Sequence, residues 1–299
     1  MEKSKLILAH LALFGVQLLY ASNYTISKGV MPDYVAPLGL VMMRMFFGVA
    51  AFWMLHWFFI KAKKVDKKDL PRLFACGVFG IAINQMAFFY GLNLTTPINA
   101  SIIMLIVPIL IFIGSVLFLK ESFTKINILG IVLGCIGAGV IIASGRAISF
   151  GQEGLRGDLF ILLNASSYSV YLLIVRPLLQ KYHPIVVIKW VFTFGALVAT
   201  PFILPEMLKT DWEAITMPIW GSIIYILIGV TLLTYLFNGF ALTMLSSRVV
   251  GAYIYLQPIL AAMIALLAGS DKLTFEKVAA GLLIFLGVFL ASKRKVIAS

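Results

Sequence analysis

Pro108-Ile-Leu-Ile-Phe, running on to Leu119-Lys-Glu121-Ser-Phe-Thr124, returns as Pro258-Ile-Leu-Ala-Ala and Gly269-Ser-Asp271-Lys-Leu-Thr274. In both stretches a proline within an apolar run is followed thirteen residues later by an acid, and three later by a threonine. The copies lie 150 residues apart in a chain of 299, and the register carries on to Gly137 and Gly287. Upstream, Leu18-Leu-Tyr-Ala-Ser-Asn-Tyr24-Thr matches Leu162-Leu-Asn-Ala-Ser-Ser-Tyr168-Ser, and Phe89-Tyr-Gly-Leu-Asn-Leu-Thr95 matches Phe237-Asn-Gly-Phe-Ala-Leu-Thr243. Apolar helices in general do not share such spacing, so the chain reads as a duplication, 1–146 and 147–299.

Composition says what is duplicated. Apolar residues make up 62% of the chain, against roughly 45–50% in soluble domains. Charged residues are 12%, against roughly 25%. The apolar residues form long blocks with short polar punctuation, which excludes disorder and a secreted disulfide scaffold and points to membrane-spanning helices. Ten spans follow: 6–28, 35–60, 70–93, 97–119, 126–145, 157–178, 184–205, 217–243, 248–269 and 275–292. The first apolar run continues past the length of a signal peptide with no small-x-small cleavage site, and is read as an uncleaved helix. Five spans per copy is an odd number, so the second copy enters the bilayer upside down. The fold class is therefore an all-α polytopic membrane protein, ten transmembrane helices in two inverted five-helix repeats. Cys76 and Cys135 lie within apolar blocks and are expected to be buried free thiols.

The net charge of +12 reads as topology rather than nucleic-acid binding. With the N-terminus inside, 16 of the 24 basic residues fall on inner segments and 6 on outer ones. This bias places both termini in the cytoplasm, with the chain in an inner (plasma) membrane. The remaining two, Arg44 and Lys189, lie within spans.

None of the twelve acids sits near the middle of a span, and the sequence has no phosphate-binding loop and no metal-ligand cluster. No cofactor or metal is expected, and no buried carboxylate stands out as a proton relay. Arg44 is about ten residues into its span, hence roughly 15 Å deep. A cation there must face the bundle or water, to engage a solute carboxylate or phosphate or to bond helix carbonyls. Lys189 is nearer a span end, where snorkelling accounts for it. A polar and aromatic set is the candidate cavity lining: Gln17, Tyr20, Asn23 and Tyr24; Asn84, Gln85 and Tyr90; Tyr168 and Tyr171, with Asn164 on the same span; Trp190; Tyr235 and Asn238; Tyr253 and Gln257. Amides and phenols are costly in lipid unless satisfied, so they point inward, to an aqueous cavity or to one another. Pro108 and Pro258 are candidate hinges or tolerated kinks. Glu121 and Asp271 precede Thr124 and Thr274, which can cap the next helices. Gly130-x-x-x-Gly134 and Gly287-x-x-x-Ala291 permit close helix contact.

A mid-helix proline in the fourth helix of each repeat, a Leu-x-Glu-like ending (Leu119-Lys-Glu121) and a glycine-rich fifth helix (Gly130, Gly134, Gly137, Gly139; Gly281, Gly287) resemble the drug/metabolite transporter superfamily, in particular its EamA-type bacterial members. Asp271 stands where that family more often has Glu. The resemblance implies solute export through a central cavity, with the fifth and tenth helices as candidate dimer surfaces, so a homodimer is an expectation. It leaves the solute open.

The reading is a secondary transporter, not an enzyme, exporting small organic metabolites by alternating access. Arg44 and the amide and phenol lining favour amino-acid-like or carboxylated solutes. A broad lipophilic-drug exporter is the alternative within transport. A membrane enzyme or a scaffold is the alternative outside it. The partners are a small-molecule solute and membrane lipid, without nucleic acid.

Overall fold

In a lipid phase each backbone N–H and C=O must be satisfied within the protein, so an apolar chain of this length resolves into helices. The computed structural model describes residues 2–60, 65–119, 124–148, 152–245, 253 and 255–291. The helices are α1 (Glu2–Val30), α2 (Pro37–Phe59), α3 (Lys67–Leu94), α4 (Pro97–Ile103, a 3₁₀ turn Met104–Ile106, then Val107–Leu119), α5 (Lys125–Ile148), α6 (Gln152–Lys181), α7 (Pro184–Met207), α8 (Met217–Ile224, a π segment Tyr225–Leu233, then Thr234–Met244), α9 (Leu256–Leu267) and α10 (Phe275–Ala291). Among the described residues seven helices are long and apolar enough to cross a membrane: α1–α4 and α6–α8. Lys125–Ile141 of α5 and Leu256–Leu267 of α9 are shorter apolar stretches, and α10 has 17 residues. The ten expected spans are thus ten helices, seven of them of spanning length as described.

Local chemistry fixes the ends. Thr124 and Thr274 do cap α5 and α10, their Oγ1 atoms accepting from the N–H groups of Asn127 at 3.3 Å and Lys277 at 3.4 Å. Pro37, Pro97 and Pro184 open their helices, where a missing N–H costs nothing. Pro108 is second in its segment, directly after the 3₁₀ turn. It has no N–H for the carbonyl of Met104, so the ladder tightens one turn ahead of it. Pro258 is third in α9, following a turn at Tyr255. Glu121 lies outside the described residues.

The bundle has two ends. At the end where α1 begins, Lys181 of α6 bridges Asp66 and Asp69 before and within α3, and Asn127 of α5 donates to the Leu290 carbonyl of α10 at 3.3 Å. At the far end, Lys28 of α1 meets the α3–α4 linker, and Glu206 of α7 accepts from the Leu38 N–H of α2 at 3.2 Å. α2 packs on α7 and α5 on α10, whereas α1 packs on α8 and α9, and α6 on α3 and α4.

α5 and α10 meet backbone to backbone. A Cβ on Gly287 would lie 2.6 Å from the Gly130 carbonyl oxygen and the Gly134 nitrogen. The small-x-x-x-small patterns are therefore used within the chain. Gly287→Val forces the helices apart, and we expect a loss of about 1–3 kcal/mol from overpacking, read as a lower melting temperature in detergent; an unchanged melting temperature rejects this contact. One cysteine departs from expectation. Cys76 is buried, but Cys135 is exposed, because an apolar block places as many residues toward lipid as toward the core.

Candidate functional site

Arg44 is the centre of the site. It is 8% exposed, flanked on α2 by the buried Leu40, Val41 and Met45. α2 opens at Pro37, so Arg44 sits about 10 Å along the helix, shallower than its sequence position suggests. Its Nε donates to Thr231 Oγ1 at 3.0 Å, and its guanidinium carbon lies 5.0 Å from the Phe89 ring centroid. Thr231 belongs to the π segment of α8 and itself donates to the carbonyl of Ile226, five residues back, at 3.1 Å. The wide turn leaves that carbonyl to a side chain and presents Thr231 to α2. Of the five N–H donors of the guanidinium, the terminal nitrogens that grip a carboxylate have no protein acceptor among the described residues. No carboxylate there pairs with Arg44.

Two tyrosines, Tyr20 and Tyr235, lie within the electrostatic reach of this cation. Tyr20 of α1 also lies near Thr234 and within the electrostatic reach of Tyr168, Tyr171 and Tyr235. Tyr168 and Tyr171 of α6 stack with centroids 6.0 Å apart. Tyr235 of α8 stands edge-on to Phe52 and Phe192, at 5.5 and 5.7 Å. Tyr20, Tyr168, Tyr171 and Tyr235 are each partly buried. Tyr24 accepts from Gln257 at 3.4 Å and meets Phe88 edge-on. Gln17 and Gln85 are buried with their Oε1 atoms unpartnered.

Other candidates are engaged in contacts of their own. Asn84 and Asn164 each donate to the other's backbone carbonyl, at 3.3 and 2.8 Å, joining α3 to α6. Asn23 accepts from Ser27 one turn on. Tyr253 hydrogen-bonds to His10 at 2.9 Å. Trp190 packs on Trp53 and Phe194. Asn238 is partly buried on α8. Tyr90 is 39% exposed and stands edge-on to Phe160. Lys189 does not snorkel: it is buried with Nζ 4.0 Å from the Trp53 ring centroid.

Sequence reasoning missed a second polar centre, at the far end. Lys277 of α10 pairs with Asp271 at 2.6 Å, with side chains 6% and 4% exposed. Asp271 also accepts the Ile98 N–H of α4 at 3.0 Å. It therefore caps α4, as well as lying beside the start of α10. Lys28 binds the carbonyls of Leu92 and Asn93, each at 3.1 Å, and that of Thr95. Thr95 Oγ1 donates to Oδ1 of Asp158 on α6, and Asn99 lies near the same carboxyl group. These residues join α1, the α3–α4 linker, α6, the α9–α10 linker and α10.

Two stretches, residues 7–143 and 155–293, match the model of the EamA-like transporter family. The chain belongs to the EamA-like transporter family. It is thus an integral membrane protein of a transporter family, in line with the drug/metabolite resemblance. An uncharacterized transporter of Archaeoglobus fulgidus is 26% identical over 240 residues, 79% of this chain and 82% of that one. The uncharacterized transporter YyaM of Bacillus subtilis is 24% identical, covering 95% and 93%. A probable terminal-alkyne amino-acid exporter of Streptantibioticus cattleyicolor is 26% identical over 201 residues, 66% and 65% of the two chains. A chain of known crystal structure superposes with a TM-score of 0.64 at 21% identity, covering 95% of this transporter and 96% of that chain, and shows the shared fold.

Proposed function

We propose that this EamA-like transporter exports amino-acid-like or other carboxylated metabolites by alternating access, binding them between two inverted repeats. The observation that carries the solute class is Arg44: a buried cation without a carboxylate partner among the described residues, with the phenols of Tyr20 and Tyr235 nearby. A desolvated guanidinium is costly, and a solute carboxylate supplies the missing half of a bidentate pair. The name of the Streptantibioticus exporter accords with this class.

Three features support the repeats. The family model matches twice. The main helix pairings keep their pattern when each helix is exchanged for the one five places away: α2–α7 and α5–α10 map onto themselves, α3–α6 onto α1–α8, and α4–α6 onto α1–α9. The π segments at Val78–Ala82 and Tyr225–Leu233 fall at matching places in α3 and α8. The basic-residue bias places the end where α1 begins in the cytoplasm of an inner membrane, and the far end outside.

A second reading has its own observation. A crevice of about 500 Å³ between α1 and α8 is lined by Leu8, Leu11, Ala12, Leu236, Phe237 and Phe240, which suits a lipophilic drug. Counterflow of radiolabelled amino acids into proteoliposomes loaded with the unlabelled amino acid separates the two, with the cationic dye ethidium as comparison. Saturable amino-acid counterflow without ethidium flux supports the carboxylate reading; the reverse result overturns it in favour of drug export.

A further inference from the structure

Asp158 is 0% exposed, on the second turn of α6. Its Oδ1 is occupied by Thr95, with Asn99 close by, yet Oδ2 has no partner among the described residues. The nearby ionisable groups are accounted for. From α10, Lys277 is the cation whose field reaches Asp158, and it is already paired with Asp271 of the α9–α10 linker. From α1, Lys28 is spent on three backbone carbonyls of the α3–α4 linker. The linker and α4 present only the neutral Thr95, Thr96 and Asn99. Among the described residues Asp158 therefore has no cation of its own. A carboxylate buried without a counter-ion, with one oxygen unpartnered, is expensive, and the neutral acid is the form such a place accepts.

We propose that Asp158 is a proton-binding site of this transporter, and that the far end of the bundle closes on the protonated acid. Closure packs the α3–α4 linker against α6 over Asp158. Opening hydrates the carboxyl group and lets the proton leave to the outer medium. The step is a simple dissociation: Asp158 COOH gives carboxylate and a hydronium ion in water. The state that binds the proton more tightly is favoured as pH falls, so acid holds this end shut and alkali releases it. The repeat symmetry does not copy the device, because the position equivalent to Asp158, 144 residues earlier, is Phe14. The proposal rests on the alternating-access reading for its meaning, but its test does not use solute flux, so the two can fail separately.

The probe is Ser101→Cys, two residues beyond Asn99 on α4 and 1% exposed, in a chain with Cys76 and Cys135 replaced by alanine. An impermeant maleimide is applied to proteoliposomes from about pH 5 to about pH 8, and labelling is normalised to the unfolded protein to remove the thiol's own pH dependence. Labelling is expected to rise about tenfold toward alkali. With Asp158→Asn, a permanently neutral isostere, it is expected to stay low and flat. Thr95→Val removes the linker's hydrogen bond to the carboxyl group, which the closed form makes, and is expected to carry the rise to more acidic pH, which keeps the test decisive should Asp158→Asn not fold. Labelling independent of pH in the Asp158 protein overturns the proposal. So does a full pH response in Asp158→Asn, or an unmoved midpoint in Thr95→Val.

Discussion

Replacing Arg44 with glutamine is expected to abolish counterflow of a carboxylated solute while leaving the protein folded. Truncating one partner of a buried, hydrogen-bonded charge pair costs about 2–5 kcal/mol, so the apparent affinity falls by roughly 30-fold or more. Stability moves the other way or not at all. In the absence of solute, Arg44 is a buried cation bonded to the neutral Thr231, and an uncharged amide of similar length relieves that burial. Arg44→Lys is expected to recover only part of the transport, since an ammonium keeps the charge but not the bidentate fork. A wild-type counterflow rate and half-saturation in Arg44→Gln, with an unchanged melting temperature, rejects Arg44 as the carboxylate contact. Thr231→Val is the companion measurement. It frees Nε and is expected to weaken half-saturation more than the maximal rate, because the acceptor that is lost positions the guanidinium rather than meeting the solute.

That site was legible in the sequence only in part. Arg44 announces itself, since a cation within an apolar block needs a reason whatever the tertiary structure. The polar faces of α1 and α6 were visible from the spacing of Tyr20 and Tyr24, and of Tyr168 and Tyr171. Which polar groups remain available was not visible. Asn84 and Asn164 look like cavity residues until α3 and α6 are brought together, and then each side-chain NH₂ is taken up by the other's backbone carbonyl. The role of Thr231 depends on a π segment, which has no residue signature. Asp158 escaped for a related reason. Hydropathy places it at the edge of a span, where a carboxylate would ordinarily be hydrated. Its burial comes from the α3–α4 linker folding over it, a contact between residues 63 apart in sequence. Helix ends fared better: the proline–acid–threonine spacing encodes caps, and Thr124 and Thr274 perform them locally. Cys135 marks a limit of composition in membrane proteins, since lipid and protein core select the same side chains.

The far-end cluster carries the largest expected effect on stability. Lys277→Met leaves the Asp271 carboxylate buried, with the Ile98 and Lys272 N–H groups as its remaining partners, and removing one member of a buried pair costs about 3–5 kcal/mol. The comparison that isolates burial is at the other end. Lys181 bridges Asp66 and Asp69, but its side chain is 37% exposed, and Lys181→Met is expected to lower the melting temperature far less, because solvent screens an exposed pair. Asp271→Asn combined with Lys277→Met should recover most of the loss, because it is the orphaned charge, more than the missing attraction, that destabilises. The recovery should be incomplete. The introduced amide keeps a single acceptor oxygen for the α4 N-terminus, and the charge that favours a helix N-terminus is gone. Melting temperatures of the four proteins in one detergent decide the matter. Equal losses for Lys277→Met and Lys181→Met, or a double variant no better than Lys277→Met alone, contradict an electrostatic latch joining α1, α4, α6 and α10.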